Sequence, residues 1–161
     1  MRHHVLRWLV LAVAAVVVAS GCAVPAREYA AKRHYVLEAA RAGRTQAAAA
    51  APVVKVRRFA VSDRFAGTGF VYRTGDVTVE SDFYNEFFVP PASLVTEAAQ
   101  TWLAASGIFS HVGSGGSGPD AAYTLEGEVG TLLGDFSDAA QPKAVLALSL
   151  VLINEEGDER A

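Results

Sequence analysis

The chain of 161 residues contains a single cysteine, Cys22. No disulfide can form within it, so any stability must come from packing. Histidine is almost as scarce. Of the 4 present, His3 and His4 sit at the extreme N-terminus, which leaves His34 and His111 for a folded domain. No His pair stands at metal-ligand spacing and no second thiol exists, so the usual zinc donor sets cannot be assembled and no cofactor is implied. Nucleophile motifs are missing as well. Ser117 lies in Gly-Gly-Ser-Gly-Pro, without the closing glycine of a nucleophile elbow. The glycine-rich run Gly113–Gly118 lacks the Lys-Ser/Thr and the following helix of a phosphate loop, and reads as a connecting loop. Glu126 and Glu128 share one strand face, which suits solubility better than acid–base work, where two carboxylates need different environments. The expectation is a protein that is not an enzyme.

Long hydrophobic runs are also few. One apolar stretch, Trp8 to Ala19, is short of the ~20 residues a membrane span needs. It follows Arg2 and Arg7, in the manner of a signal sequence. Ala19-Ser20-Gly21-Cys22 comes next and resembles a bacterial lipobox. Cleavage would fall before Cys22, which would carry acyl chains and anchor the protein in a membrane. A plain membrane anchor, or a secretory signal with an incidental cysteine, is the competing reading. Ala23 follows the cysteine, with no Asp there to hold the protein at the inner membrane, so the outer membrane is expected. Losing residues 1–21 removes two of the 14 basic residues and none of the 17 acidic ones, leaving 12 against 17 and a net charge of −5. That balance argues against nucleic acid as a partner and against adhesion to anionic lipid through a basic patch.

The remainder divides into a tether over residues 22–34 and a domain over 35–161. As a coil, the tether of about ten residues spans roughly 15–20 Å. Tyr35-Val36-Leu37 is a first strand candidate, and the alanine-rich Ala39–Ala51 reads as a loop. Val53–Phe59 alternates, with Val54 and Val56 on one face and Lys55 and Arg57 on the other. Phe70–Arg73 and Val77–Asp82 form a hairpin around Thr74-Gly75-Asp76. Phe83, Tyr84, Phe87 and Phe88 then make an aromatic cluster. It either covers the start of the next helix or offers a contact surface for lipid or a partner.

That helix organises the domain. Pro90-Pro91 ends the preceding strand. Ser93 is the expected N-cap, with Glu97 in the first turn. Leu94, Ala98 and Trp102 make one apolar row, and Val95, Ala99 and Leu103 the next. Thr96, Glu97, Gln100 and Thr101 face away. Gly107 supplies the left-handed stop, with Ile108 folding back on the last turn, and a short strand follows over Phe109–Val112. Trp102 is expected to be buried against a sheet. Ala122–Val129 is a strand with one wet face, and Thr131–Gln141 connects it onward. Ala144–Ile153 is apolar on both faces, so it is buried on both sides or awaits a partner. Leu146, Leu148, Leu150 and Leu152 share one of its faces and are expected to be undercovered. The fold class is therefore α+β: a mixed β-sheet packed by a central amphipathic helix, Ser93–Ser106, in two or three layers.

Phe70-Val71-Tyr72-Arg73, Tyr84-Asn85-Glu86-Phe87-Phe88-Val89-Pro90-Pro91 and Ser106-Gly107-Ile108-Phe109-Ser110-His111-Val112, in that order, resemble the ABC-type transport auxiliary lipoprotein family, the PqiC-like lipoproteins. Ala122-Tyr123-Thr124-Leu125-Glu126-Gly127 resembles a later strand of that family, and Phe87 stands where the family usually has Trp. The resemblance implies a lipid-anchored, periplasm-facing protein that works with ABC or MCE-type transporter subunits on lipids or other hydrophobic compounds. It carries no catalytic residues. It also implies a returning strand and a C-terminal helix beyond this sequence, so the chain reads as C-terminally incomplete. A carrier that itself holds an acyl chain in an apolar cavity, and an envelope hydrolase, are the alternatives.

Overall fold

The computed structural model describes residues 29–43, 45–114 and 119–155. Its main unit starts at Ala31. The fold is α+β, with one helix on a mixed sheet of 8 strands among the described residues. In chain order these are β1 (Arg33–Tyr35), β2 (Val53–Val56), β3 (Ala60–Val61), β4 (Gly69–Arg73), β5 (Val79–Phe87), α1 (Pro91–Ala104), β6 (His111–Gly113), β7 (Tyr123–Asp135) and β8 (Lys143–Asn154).

β7 is the spine. Along one side it pairs in parallel with β2, β3 and β4 in succession. Along the other it pairs antiparallel with β8 from Tyr123↔Asn154 to Asp135↔Lys143. β5 joins the sheet as the antiparallel partner of β4, β1 lies parallel outside β5, and β6 lies parallel outside β2. Among the described residues β8 is therefore an edge strand. β7 runs to Asp135, well past Val129, so much of the expected Thr131–Gln141 connection is strand. A register shift between Val129 and Thr131 lets it continue: the irregularity absorbs a residue and keeps Leu132 on the face of Val129.

α1 lies over β2, β3 and the first half of β7. Val54, Val56 and Val129 are completely buried there, and Phe59 and Val95 nearly so. Phe59 lies flat on β7 at Gly127, where a Cβ would come within 2.6 Å of its ring. Thr96 points into this core, contrary to its expected outward position. Its Oγ1 accepts the Phe59 N–H at 2.9 Å and donates to the Ala92 carbonyl at 2.6 Å. Two hydrogen bonds remove the cost of burying the hydroxyl, which apolar periodicity alone cannot register.

The helix begins at Pro91, with Pro90 as its cap, two residues before the expected Ser93. A proline at N1 has its φ preset and lacks an N–H that would have no partner there. Ser93 is thus inside the first turn, its N–H bonded to the Pro90 carbonyl at 2.9 Å, and Glu97 falls in the second. Gly107 does take the left-handed conformation, φ 73°. Ile108 stays 56% exposed, and Ser106 finishes the helix instead, donating to Leu103 O at 2.6 Å and accepting the Ile108 N–H at 3.2 Å.

Trp102 corrects a second expectation. It is 39% exposed, with the Arg41 guanidinium 4.6 Å over its ring. Successive four-residue steps along a helix drift by about 40°. Leu94 and Ala98 remain beneath the helix, while Trp102 turns out onto its flank, above the part of the sheet the helix does not reach.

Candidate functional site

Three polar clusters and two apolar surfaces are the candidates. The first cluster centres on Asp82, on β5. It accepts from the backbone N–H groups of Tyr84 and Asn85 at 2.7 and 3.0 Å, the Asn85 side-chain amide at 2.7 Å and the Tyr72 hydroxyl at 3.0 Å. The Asn85 side chain, then these backbone donors, bring its pKa down to about 2. Burial, then the Asp82 carboxylate, pushes Tyr72 up to about 12. A carboxylate saturated in this way is a weak base and its tyrosine a weak acid. The arrangement fastens the irregular β4–β5 ladder, whose register shifts between Gly69 and Val71.

The second cluster ties three strands together. The Arg73 guanidinium on β4 grips Asp135 at the end of β7 through two hydrogen bonds, and Lys143 at the start of β8 approaches to 3.5 Å. Ser137 adds its hydroxyl at 2.6 Å and its N–H at 3.1 Å. Arg73 first, then Ser137, hold the Asp135 carboxyl well below the usual carboxylate range. In the third cluster, Glu86 on β5 meets Lys32 at 3.3 Å, His34 Nε2 at 3.0 Å and the Thr68 hydroxyl at 3.4 Å. Its pKa is lowered, chiefly by Lys32. Among the described residues, no group of three or more His, Cys, Asp or Glu could hold a metal ion. His111 lies exposed on β6, and Glu126 is bonded to Arg57 at 2.6 Å.

The aromatic cluster divides between two surfaces. Phe87 turns inward and meets Phe70 at 4.6 Å between ring centres, and Tyr35, its register partner on β1, meets Phe70 at 4.9 Å. Phe83, Tyr84 and Phe88 stay outside, 61%, 45% and 67% exposed. Lys32, just before β1, and His34 on it clasp these outer rings: the Lys32 ammonium lies 4.6 Å over Phe83, and His34 meets Phe88 edge-on at 6.1 Å. The pattern of four close aromatics was readable from the chain, but Lys32 and His34 as its partners were not, since they come from some 50 residues upstream.

The second surface is an apolar trough on the helix side of the sheet. One depression of about 500 Å³ is walled by Phe70, Tyr72, Phe87, Leu132, Phe136 and Ala144. A second, of about 250 Å³, lies between the helix flank at Trp102 and Leu103 and the row Leu146, Leu148, Leu150 on β8. Leu132 and Leu146 wall one depression each and are opposite partners in the β7–β8 ladder. As expected, the β8 leucines are undercovered: Leu146, Leu148, Leu150 and Leu152 are 44–57% exposed.

Cys22 lies outside the described residues. Among the described residues no helix is long and apolar enough to cross a membrane.

No protein-family model and no curated protein matches this chain. The chain is similar in fold to solved structures, among them the following two. A Xanthomonas campestris protein of the DUF330 family superposes with a TM-score of 0.57 at 14% identity, over 71% of this chain and 66% of that one. The crystal structure of an uncharacterized protein superposes with a TM-score of 0.52 at 19% identity, over 81% and 84% of the two chains.

Proposed function

We propose that this protein is a non-catalytic, lipid-anchored component of an ABC/MCE-type envelope transport system. It would sit on the periplasmic side of the outer membrane and dock the transporter assembly there for the movement of lipids or other hydrophobic compounds. The observation that carries the reading is the lipobox-like Ala19-Ser20-Gly21-Cys22 set immediately before a one-helix α+β domain with large exposed apolar surfaces. The order of the Val-Tyr-Arg, Pro-Pro and Ser-Gly motifs along the chain agrees with it, and so does a fold shared with a DUF330 protein. The polar clusters are each engaged in holding strands together, which leaves the apolar surfaces to do the binding.

The test is metabolic labelling with an alkyne fatty acid, followed by crosslinking in cells. The expected result is label on the wild-type protein, none on Cys22→Ser, and crosslinks to an MCE-type or permease subunit. Unlabelled wild-type protein, or labelled protein that crosslinks to no transport subunit, would sink the reading.

A carrier function is favoured by one feature, the depression of about 500 Å³, which is in the size range of small-molecule sites. Native mass spectrometry of the protein extracted from cells distinguishes the two. A carrier retains one lipid per chain, and Leu132→Arg, in the wall of the depression, abolishes that retention.

A further inference from the structure

The outer aromatics stand where the chain leaves the domain. β1 begins at Arg33, in register with β5 as Arg33↔Asn85, His34↔Glu86 and Tyr35↔Phe87. Lys32, one residue before β1, already lies on the Phe83 ring. Phe83 and Tyr84 meet edge-on at 5.2 Å, and Glu86, which holds both Lys32 on Phe83 and His34 on Phe88, links them to Phe88. The charge of the patch is nearly balanced, because Glu86 takes both Lys32 and His34 as partners. Exposed aromatic rings with a tyrosine hydroxyl and a lysine stem among them combine an apolar body with polar ends. That composition suits the headgroup layer of a bilayer, where Trp, Tyr and snorkelling Lys collect.

We infer that the Phe83–Tyr84–Phe88 patch rests on the membrane to which Cys22 is anchored, with its rings in the headgroup layer. The inference builds on the lipoprotein reading and adds an orientation to it. Between Cys22 and Lys32 lie about ten residues, which reach no more than ~35 Å even fully stretched. The attachment point of that leash is the edge of the patch itself. A short leash holds the patch at millimolar effective concentration against the surface, so weak partitioning of three rings is enough to keep it there. A second contact of this kind makes an acyl anchor firmer. The mature chain carries a net charge of −5 and the patch a near-balanced one, so the contact is apolar in origin and does not depend on anionic lipid. With this edge on the membrane, the leucine row of β8, separated from β5 by β4 and β7, stays free for a partner.

The test uses the mature chain from Cys22 onward, coupled through its one thiol to maleimide-bearing vesicles of phosphatidylcholine and phosphatidylethanolamine. This sets the leash without any cellular acylation. Whether cells acylate Cys22 is read separately, from the mass of the N-terminal peptide, so the two ideas can fail independently. A tryptophan reporter replaces Phe88. The control replaces Val77, which is 93% exposed. Val77 lies two residues before the other end of β5, roughly 30 Å away at strand spacing. Both proteins retain Trp102, which cancels in the comparison.

Brominated phosphatidylcholine should quench Phe88→Trp about threefold more than Val77→Trp, with shallow bromines more effective than deep ones, as an interfacial ring requires. Added salt should leave the difference intact. Equal quenching at the two positions, or none at Phe88→Trp, overturns the inference. Loss of the quenching in salt does so too, because the contact would then be electrostatic. Should Phe88→Trp fail to fold, Tyr84→Trp carries the same comparison.

Discussion

Two halves of one sheet face meet along β7 and are treated differently. In the first, α1 lies on β2 and β7, and Val54, Val56 and Val129 reach complete burial. In the second, β8 presents Leu146, Leu148, Leu150 and Leu152 on the same side, and these remain 44–57% exposed. The open half is, if anything, the more apolar in sequence. What separates them is reach. A helix is about 10 Å across, and strands lie ~4.8 Å apart. One helix covers about two strands, and β8 lies beyond its edge. Trp102 marks the boundary, on the flank of the helix above the exposed leucines. Hydrophobic content therefore says which residues seek cover, while the number of helices decides which receive it.

The contrast breaks most visibly through Phe59 and Leu150. Phe59 is 2% exposed and rests on the bare backbone of Gly127. Phe59→Ala should cost ~3–5 kcal/mol, as for other buried aromatic truncations. Leu150 is 57% exposed, and Leu150→Ala should cost less than ~1 kcal/mol, because most of its surface is already in water. Urea denaturation of the two variants measures both. Equal losses would mean that the open half is covered in solution.

Trp102→Ala comes next. A fully buried tryptophan would cost ~3–5 kcal/mol. Trp102 forgoes part of this because it is 39% exposed, with the Arg41 guanidinium over its ring. The expected loss is about half that range, read from the same denaturation curves. A loss as large as that of Phe59→Ala would place Trp102 in the closed half.

These positions also mark how far the chain could be read in advance. The α+β class, the alternation that buries Val54 and Val56, the hairpin before the aromatics and the left-handed Gly107 all come from local chemistry, and they stand in the structure. The orientation of Thr96 did not come through, because its place depends on the Phe59 N–H, 37 residues away. The position of Trp102 depends on where the sheet ends, and no local pattern encodes that. The same limit applies to the candidate surfaces. Phe83, Tyr84, Phe87 and Phe88 were visible as a group. That Phe87 turns in to Phe70 while Phe83 and Phe88 turn out to Lys32 and His34 follows from the parallel pairing of β1 with β5, a long-range choice.

A polar seam holds the two halves together, and acid should open it. Asp135 joins β4, β7 and the start of β8 through Arg73 and Lys143. Asp82 fastens β4 to β5. Both carboxyls have folded pKa values below the ordinary ~3.9 of an unfolded aspartate. Groups depressed in this way contribute stability that is fully present above the unfolded value and is lost as pH falls through the folded one. The thermal midpoint should therefore hold from neutral pH down to about 5 and then decline, with the Asp82 contribution disappearing as pH approaches about 2. Asp135→Asn should lower the midpoint at pH 7 and flatten the acid limb. An unchanged acid limb in that variant would assign the pH dependence to other groups.

The smallest expected effect on stability comes with the clearest effect on behaviour. β8 is an edge strand of 12 residues, and between Lys143 and Asn154 it carries no charge and no proline. Edges of this kind, long and apolar, are where chains pair with one another, and a lysine on the edge is a common way of preventing it. Leu148 is 44% exposed on the trough side, opposite Val129 in the ladder. A lysine at 148 can lay its stem along the trough and hold its ammonium in water. Leu148→Lys should therefore shift stability by no more than ~0.5 kcal/mol, as for most exposed positions. It should also reduce hydrophobic-dye binding and shift sedimentation of the acyl-free domain toward monomer. The two readouts separate the possibilities. Lost stability with unchanged association would mean that Leu148 belongs to the closed core. Reduced association at unchanged stability would locate the drive to associate on this face of β8 and leave the covered half of the sheet unaffected.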